Sequence, residues 1–156
     1  MSNARIRRLA PSDLPALRGL LQVYAEAFEE EALYAEAPPE DSYLETVLGT
    51  PGVIVLVAEV GDEVVGGITA YVLAKLERAR SEIYLYDLAV AEPWRRKGIA
   101  TRLILDLKPI AHQYGAEVIF VQADREDAPA VALYQRLGSP EEPFHFDIQV
   151  APQRGG

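Results

Sequence analysis

Three basic residues, Arg95, Arg96 and Lys97, are followed directly by Gly98, Ile99 and Ala100, where a strand-like run gives way to a helical pattern. That order suits an anion. The first N–H groups of a helix have no partner inside it, and the helix dipole adds to side-chain charge in favouring phosphate. Gly98 lets a ligand approach the backbone closely, and the small Ala100 keeps the helix start uncrowded. An exposed basic turn is the plainer reading of the same residues, and spacing alone does not separate the two. Upstream, Asp87 lies in the apolar and aromatic run Ile83–Val90, IYLYDLAV, with Glu82 beside it. An unpaired charge is costly to bury in such a strand. These carboxylates are therefore either members of structural ion pairs or groups kept for chemistry.

The sequence Asp87-Leu88-Ala89-Val90, then Arg95-Arg96-x-Gly98-x-Ala100, resembles the acetyl-CoA signature of the GNAT N-acetyltransferases. Alanine at position 100 replaces a commoner glycine. The resemblance implies that Arg95, Arg96, Lys97, Gly98, Ile99, Ala100 and Thr101 hold the CoA pyrophosphate, mainly through backbone N–H groups. It also implies that Leu88, Ala89 and Val90 flank the thioester and offer an N–H to the developing oxyanion. The likeness continues in Asp127-Ala128-Pro129-Ala130-Val131-Ala132-Leu133-Tyr134. There the family commonly shows N-x-x-A-x-x-x-Y, with the tyrosine protonating the departing thiolate. Tyr134 takes that role by resemblance, and Asp127 stands where the cofactor-contacting asparagine is usual. Amine attack on a thioester also needs a base, because a protonated amine is not a nucleophile. Asp87 is the preferred base or amine anchor.

A narrower likeness runs through ARSEIYLYDLAVA (79–91), FVQADREDAPAVALYQRLG (120–138) and HFDI (145–148). These stretches resemble the aminoglycoside 3-N-acetyltransferases of the same superfamily. That resemblance implies a polycationic small-molecule acceptor, with Asp87, Asp147, Glu29, Glu30 and Asp124 as contacts, and it allows a homodimer. Two other readings stay open: a GNAT enzyme acting on a peptide N-terminus or a simple polyamine, and a CoA-binding sensor without turnover.

Composition sets the outer bounds. The 156 residues suit one domain over 1–150 with a flexible tail at 151–156, and 49% hydrophobic residues suffice for a core. No cysteine is present, which excludes disulfides and thiolate chemistry. His112 and His145 are too few and too far apart in sequence to suggest a metal; His112 reads as a helix-surface residue. Acidic residues outnumber basic ones 24 to 15, for a net charge of −9. This disfavours nucleic acid and favours cations. No run is long enough to span a membrane and no signal-peptide pattern is visible, so a cytoplasmic protein is expected.

The elements that must position these groups follow from periodicity. Ala4–Leu9 reads as an edge strand. Leu14, Leu17, Leu21, Tyr24 and Phe28 keep helical spacing behind Ser12 or Asp13 as cap and Pro15 in the first turn. The acidic segment Glu26–Glu31 reads as a solvated helix face. A short helix is expected from Asp41 or Ser42 to Gly49. Val53–Val60 and Glu63–Leu73 form a hairpin about Gly61-Asp62, with Gly66-Gly67 marking a bulge or close contact. After the central strand and Glu92-Pro93-Trp94, a helix opens through Arg95–Ala100. Glu117–Gln122 is a buried strand, a last helix runs to Leu137, and Phe144–Val150 is a terminal strand. The order predicts an α/β fold with a mixed central sheet and helices on both faces, the architecture of the GNAT fold.

Overall fold

A computed structural model describes residues 3–151 of the chain. Its elements are β1 (Arg5–Arg8), α1 (Leu14–Ala27), α2 (Glu31–Glu36), α3 (Asp41–Gly49), β2 (Val53–Val60), β3 (Glu63–Ala74), β4 (Ser81–Val90), α4 (Ile99–Gln113), β5 (Ala116–Val121) and α5 (Ala128–Leu137). A single 3-10 turn, Glu92–Trp94, follows β4. The chain divides after Gln122 into two compact units, the first holding β1 to β5 and α1 to α4, the second holding α5.

In the first unit the strands run in the order β1-β2-β3-β4-β5. The first four are antiparallel to their neighbours, and β5 joins β4 in parallel. Alternation gives the sheet two apolar faces. Val55, Val57 and Ala89 pack with Leu17, Leu20, Val23 and Tyr24 of α1 and Leu44 and Leu48 of α3. Ile54, Leu56, Ile68, Ile83 and Leu85, which point the other way, are buried together with Leu103 and Leu107 of α4. Burying one such side chain contributes about 1.5–3 kcal/mol, so each helix is held chiefly by its apolar stripe. Gly67 lets α1 settle closely on the first face: a Cβ there would lie 2.5 Å from Leu20 Cδ1 and 2.6 Å from the Leu56 carbonyl oxygen. The register irregularity on that hairpin falls beside it, between Ala58 and Glu59. At the outer edge, the buried Glu59 carboxylate accepts from Arg7 Nε at 2.6 Å and ties β1 to β2.

Two local expectations need correction. Residues Arg95 to Gly98 are a turn, and the helix opens only at Ile99. Gly98 has φ +79°, a left-handed value, so the α-helical backbone cannot run through it. The expected terminal strand is also absent: residues 144–150 carry no strand among the described residues. Their alternation of Phe144, Phe146, Ile148 and Val150 fits a half-buried strand, but these four side chains stand exposed. A strand without a hydrogen-bonding neighbour leaves its N–H and C=O groups unpaired, so pattern alone does not make one. Of the expected tail, residues 152–156 lie outside the described residues.

Candidate active site

The sheet opens where the site is expected. Parallel pairing of β4 with β5 covers Ser81 to Leu85, the last pair being Leu85 with Val121. Pairing of β4 with β3 continues to Val90. Asp87, Leu88, Ala89 and Val90 thus have β3 on one side and, among the described residues, no strand partner on the other. That backbone edge is available to an extended amide-bearing ligand.

The basic turn lies at the end of this edge. Arg95 turns back on the strand, its Nε donating to the Val90 carbonyl at 2.8 Å. The Trp94 N–H donates to Ala91 O at 2.8 Å, and the Ala91 N–H to Val65 O at 2.8 Å. Arg95 therefore anchors the turn. Arg96 has φ +61° and Gly98 φ +79°, two left-handed residues separated by Lys97. The first bond of α4 runs from the Arg102 N–H to Gly98 O at 3.0 Å, which places the N–H groups of Ile99, Ala100 and Thr101 ahead of the helical ladder. Among the described residues no side chain caps this helix start. Ile99 is buried as the hydrophobic anchor, and Arg96 and Lys97 are exposed. A Cβ on Gly98 would meet no protein atom within 4 Å, so the constraint on that residue is conformational.

Asp87 owes its orientation to a bulge. It pairs with Thr69, while Leu85 pairs with the next residue, Ala70, which leaves Tyr86 as an extra residue on β4. The insertion reverses the alternation. Leu85 therefore faces α4, and Asp87, two residues on, faces the α1 side with Thr69, Tyr71 and Tyr84. Burial holds the Asp87 carboxyl above the usual aspartate range; a hydrogen bond from Thr69 opposes this, and the negative charge of Glu30 adds to it. The phenols of Tyr34 and Tyr71 are pushed up first by burial and then by the Asp87 charge. Tyr71 meets Tyr86 edge-on at 5.9 Å between ring centroids, and Tyr84 stacks on Phe120 at 4.6 Å. The result is an anionic centre in an aromatic surround, able to hold an ammonium group by charge and by ring faces.

The remaining expected residues fall elsewhere. Glu29 is the left-handed residue closing α1, at φ +55°. The Glu30 N–H donates to Ala25 O at 2.9 Å across that closure, and the negative charge of Glu30 raises the pKa of both Asp87 and Tyr34. Glu82 is an ion-pair member, 3.0 Å from Arg80. In the second unit, Asp127 caps α5, its Oδ1 accepting from the Ala130 N–H at 3.2 Å. Burial and then the Asp127 charge push the Tyr134 phenol up to about 12. Asp124 lies exposed in the preceding loop, its carbonyl accepting from the Asp127 N–H at 3.0 Å. Asp147 pairs with His145 at 2.9 Å, both exposed. His112 is exposed at the end of α4. Among the described residues no group of His, Cys, Asp or Glu is arranged to hold a metal ion, and no helix is long and apolar enough to cross a membrane.

Sequence reasoning passed over Tyr24, Tyr34, Thr69, Tyr71, Tyr84 and Tyr86. The signal available was Tyr84-x-Tyr86 flanking Asp87 in one strand, with Tyr71 in the strand before it. Read as general β-propensity, it concealed an aromatic site.

The model for the acetyltransferase (GNAT) family matches residues 16–139. The chain belongs to that family. A solved GNAT-fold relative, an aminoglycoside acetyltransferase from an uncultured soil metagenomic sample, is 46% identical, with a TM-score of 0.93 over 97% of this chain and 100% of that one. A second aminoglycoside acetyltransferase from such a sample, solved in complex with sisomicin, is 31% identical with a TM-score of 0.87, over 95% of this chain and 97% of that one. Among curated proteins, an N-alpha-acetyltransferase of Saccharolobus solfataricus is 34% identical over 55% of this chain and 56% of its own length. The chain spans about half the length of that relative and of the similar Sulfurisphaera tokodaii enzyme, at 56% and 55%.

Proposed function

We propose that the chain transfers the acetyl group of acetyl-CoA to an amine of an aminoglycoside, at the 3-amino group of the 2-deoxystreptamine ring. The observation that carries this reading is the Asp87 centre, with Glu30 nearby and Tyr34, Tyr71 and Tyr84 around it. Such a surround selects a cation with apolar ring faces. The two metagenomic relatives named as aminoglycoside acetyltransferases support the same acceptor class. The narrower sequence likeness supplies the 3-amino position.

Acetyl-CoA brings the acyl group as an activated thioester. The N–H groups from Gly98 to Thr101 and the charges of Arg96 and Lys97 hold its pyrophosphate, with Arg95 bracing the turn from behind. The backbone of Leu88 to Val90 offers a donor to the oxyanion. Asp87 binds the acceptor ammonium and takes its proton, so that the free amine attacks the carbonyl carbon. The family resemblance assigns Tyr134 the proton given to the sulfur as the carbon–sulfur bond breaks, and the attacking nitrogen loses its second proton as the amide forms. Asp127 caps the helix that carries Tyr134, and the resemblance assigns Glu29, Asp124 and Asp147 as further acceptor contacts. The match to N-alpha-acetyltransferases favours a second reading, a peptide N-terminus as acceptor, over a shorter stretch of the chain.

If the turn binds through its backbone, Gly98→Val weakens CoA binding more than Arg96→Ala does, because a β-branched residue at φ +79° is strained. Calorimetric titration of both variants with CoA checks the order, and the reverse order rejects the backbone account. The acceptor itself is tested in cells. Bacteria expressing the chain should survive higher gentamicin concentrations than controls, and bacteria expressing Asp87→Asn should not. Equal sensitivity at matched expression counts against the aminoglycoside reading.

A further inference from the structure

We propose that Tyr24 and Thr69 are positioning residues that hold Asp87 in its ionised, proton-accepting form through a directed chain of hydrogen bonds from α1 across β3 to β4. The inference rests on Asp87 being the base of the reaction proposed above. Its geometry lies wholly within the first unit.

Tyr24 is only 2% exposed. Its hydroxyl lies 2.9 Å from Thr69 Oγ1. Thr69 is the cross-strand partner of Asp87, so the two side chains share one face of the sheet, and Thr69 acts on the Asp87 carboxyl to lower its pKa against the burial that raises it. Proton inventory fixes the direction. An ionised carboxylate only accepts, and a threonine hydroxyl has one proton. In the proposed chain that proton goes to Asp87, which leaves Thr69 Oγ1 to accept from the Tyr24 O–H. Burial keeps the Tyr24 phenol protonated by raising it well above its ordinary range, so the donor end of the chain does not titrate with Asp87.

The arrangement answers a specific need. The groups that sense Asp87 are Glu30 at the α1–α2 junction, Tyr24 on α1, Tyr34 on α2, Tyr71 on β3 and Tyr84 on β4. None is a cation. Burial and Glu30 both favour the protonated acid, and the Thr69 hydroxyl is the opposing influence. A chain in which each hydroxyl polarises the next strengthens the final bond to the anion. Thr69 also needs the bulge at Tyr86, because without it the carboxylate would fall on the other face of the sheet.

The test is a carbon-13 titration of the Asp87 carboxyl in the full chain, labelled at aspartate and assigned by comparison with Asp87→Asn. Thr69→Val, which keeps the shape and removes the hydroxyl, should raise the Asp87 pKa by about one unit, the loss expected for one hydrogen bond to a charged group. Thr69→Ser should restore the original value. Tyr24→Phe should raise it by less, and should add nothing in a Thr69→Val background, because its influence passes through Thr69. In turnover, the acid limb of the pH–rate profile should move by the same amount. An unmoved Asp87 pKa in Thr69→Val overturns the proposal. So does a Tyr24→Phe shift that is absent, or that persists undiminished without the Thr69 hydroxyl. The titration needs no acceptor, so an enzyme that acetylates peptides rather than aminoglycosides would sink the functional reading and leave this result decisive.

Discussion

Asp87→Asn should reduce acetyl transfer by ~10²-fold or more, the range for loss of a general base, and should weaken acceptor binding as well. Acetyl-CoA affinity should stay as it was. The pH behaviour identifies the group. Burial raises the Asp87 carboxyl, so in the unaltered enzyme the rate falls, as pH is lowered, at a higher pH than an ordinary aspartate would give. That limb should vanish in the Asn variant. Stability should move the other way. A folded-state pKa above the unfolded one makes a contribution that is present below the unfolded value and lost as pH rises through the folded value. Above the folded value, where Asp87 is ionised, this linkage contributes no stability, and there Asp87→Asn should melt no lower than the parent. A melting scan at neutral pH beside the rate profile checks both halves. A variant with near-parental turnover removes Asp87 from the chemistry.

Tyr134→Phe should lower turnover by a comparable ~10²-fold, as expected for loss of a general acid, with CoA affinity nearly unchanged because the ring remains. Its phenol, pushed up to about 12, keeps its proton throughout the working pH range. It is therefore a donor to a departing thiolate and not a base. The two carriers of the proposed proton transfers are thus driven in the directions their roles need: Thr69 opposes the burial that raises the Asp87 carboxyl, and burial with the Asp127 charge keeps Tyr134 protonated. Single-turnover kinetics with acetyl-CoA pre-bound reads the chemical step directly. An unchanged single-turnover rate rejects the assignment.

What the sequence disclosed and what it withheld divide along physical lines. The hairpin, α4 and α5 were legible because each is written in local terms: alternating β-branched residues about Gly61-Asp62, a 3.6-residue stripe from Ile99 to Leu107, a proline in the first turn. The basic turn was legible for the same reason, though its left-handed Arg96 and Gly98 delay the helix to Ile99. The bulge at Tyr86 was not, because it is a relation between two strands and neither strand announces it. Thr69, from the opposite strand, and Tyr24, from a helix 45 residues away from Thr69 in sequence, were missed with it, whereas Glu30 was named as an acceptor contact. Phe144 to Val150 erred the other way. Alternation there is genuine, but pairing needs a second strand, which no single segment supplies.

The acceptor and its reacting nitrogen define the proposed reaction. Purified protein incubated with acetyl-CoA and gentamicin, with the product mapped by NMR, tests both at once. The account predicts one acetyl group, on the 3-amino nitrogen of the 2-deoxystreptamine ring. Acetylation at a different amine would contradict the position. No product from any 2-deoxystreptamine drug, under conditions where a peptide N-terminus is acetylated, would contradict the acceptor.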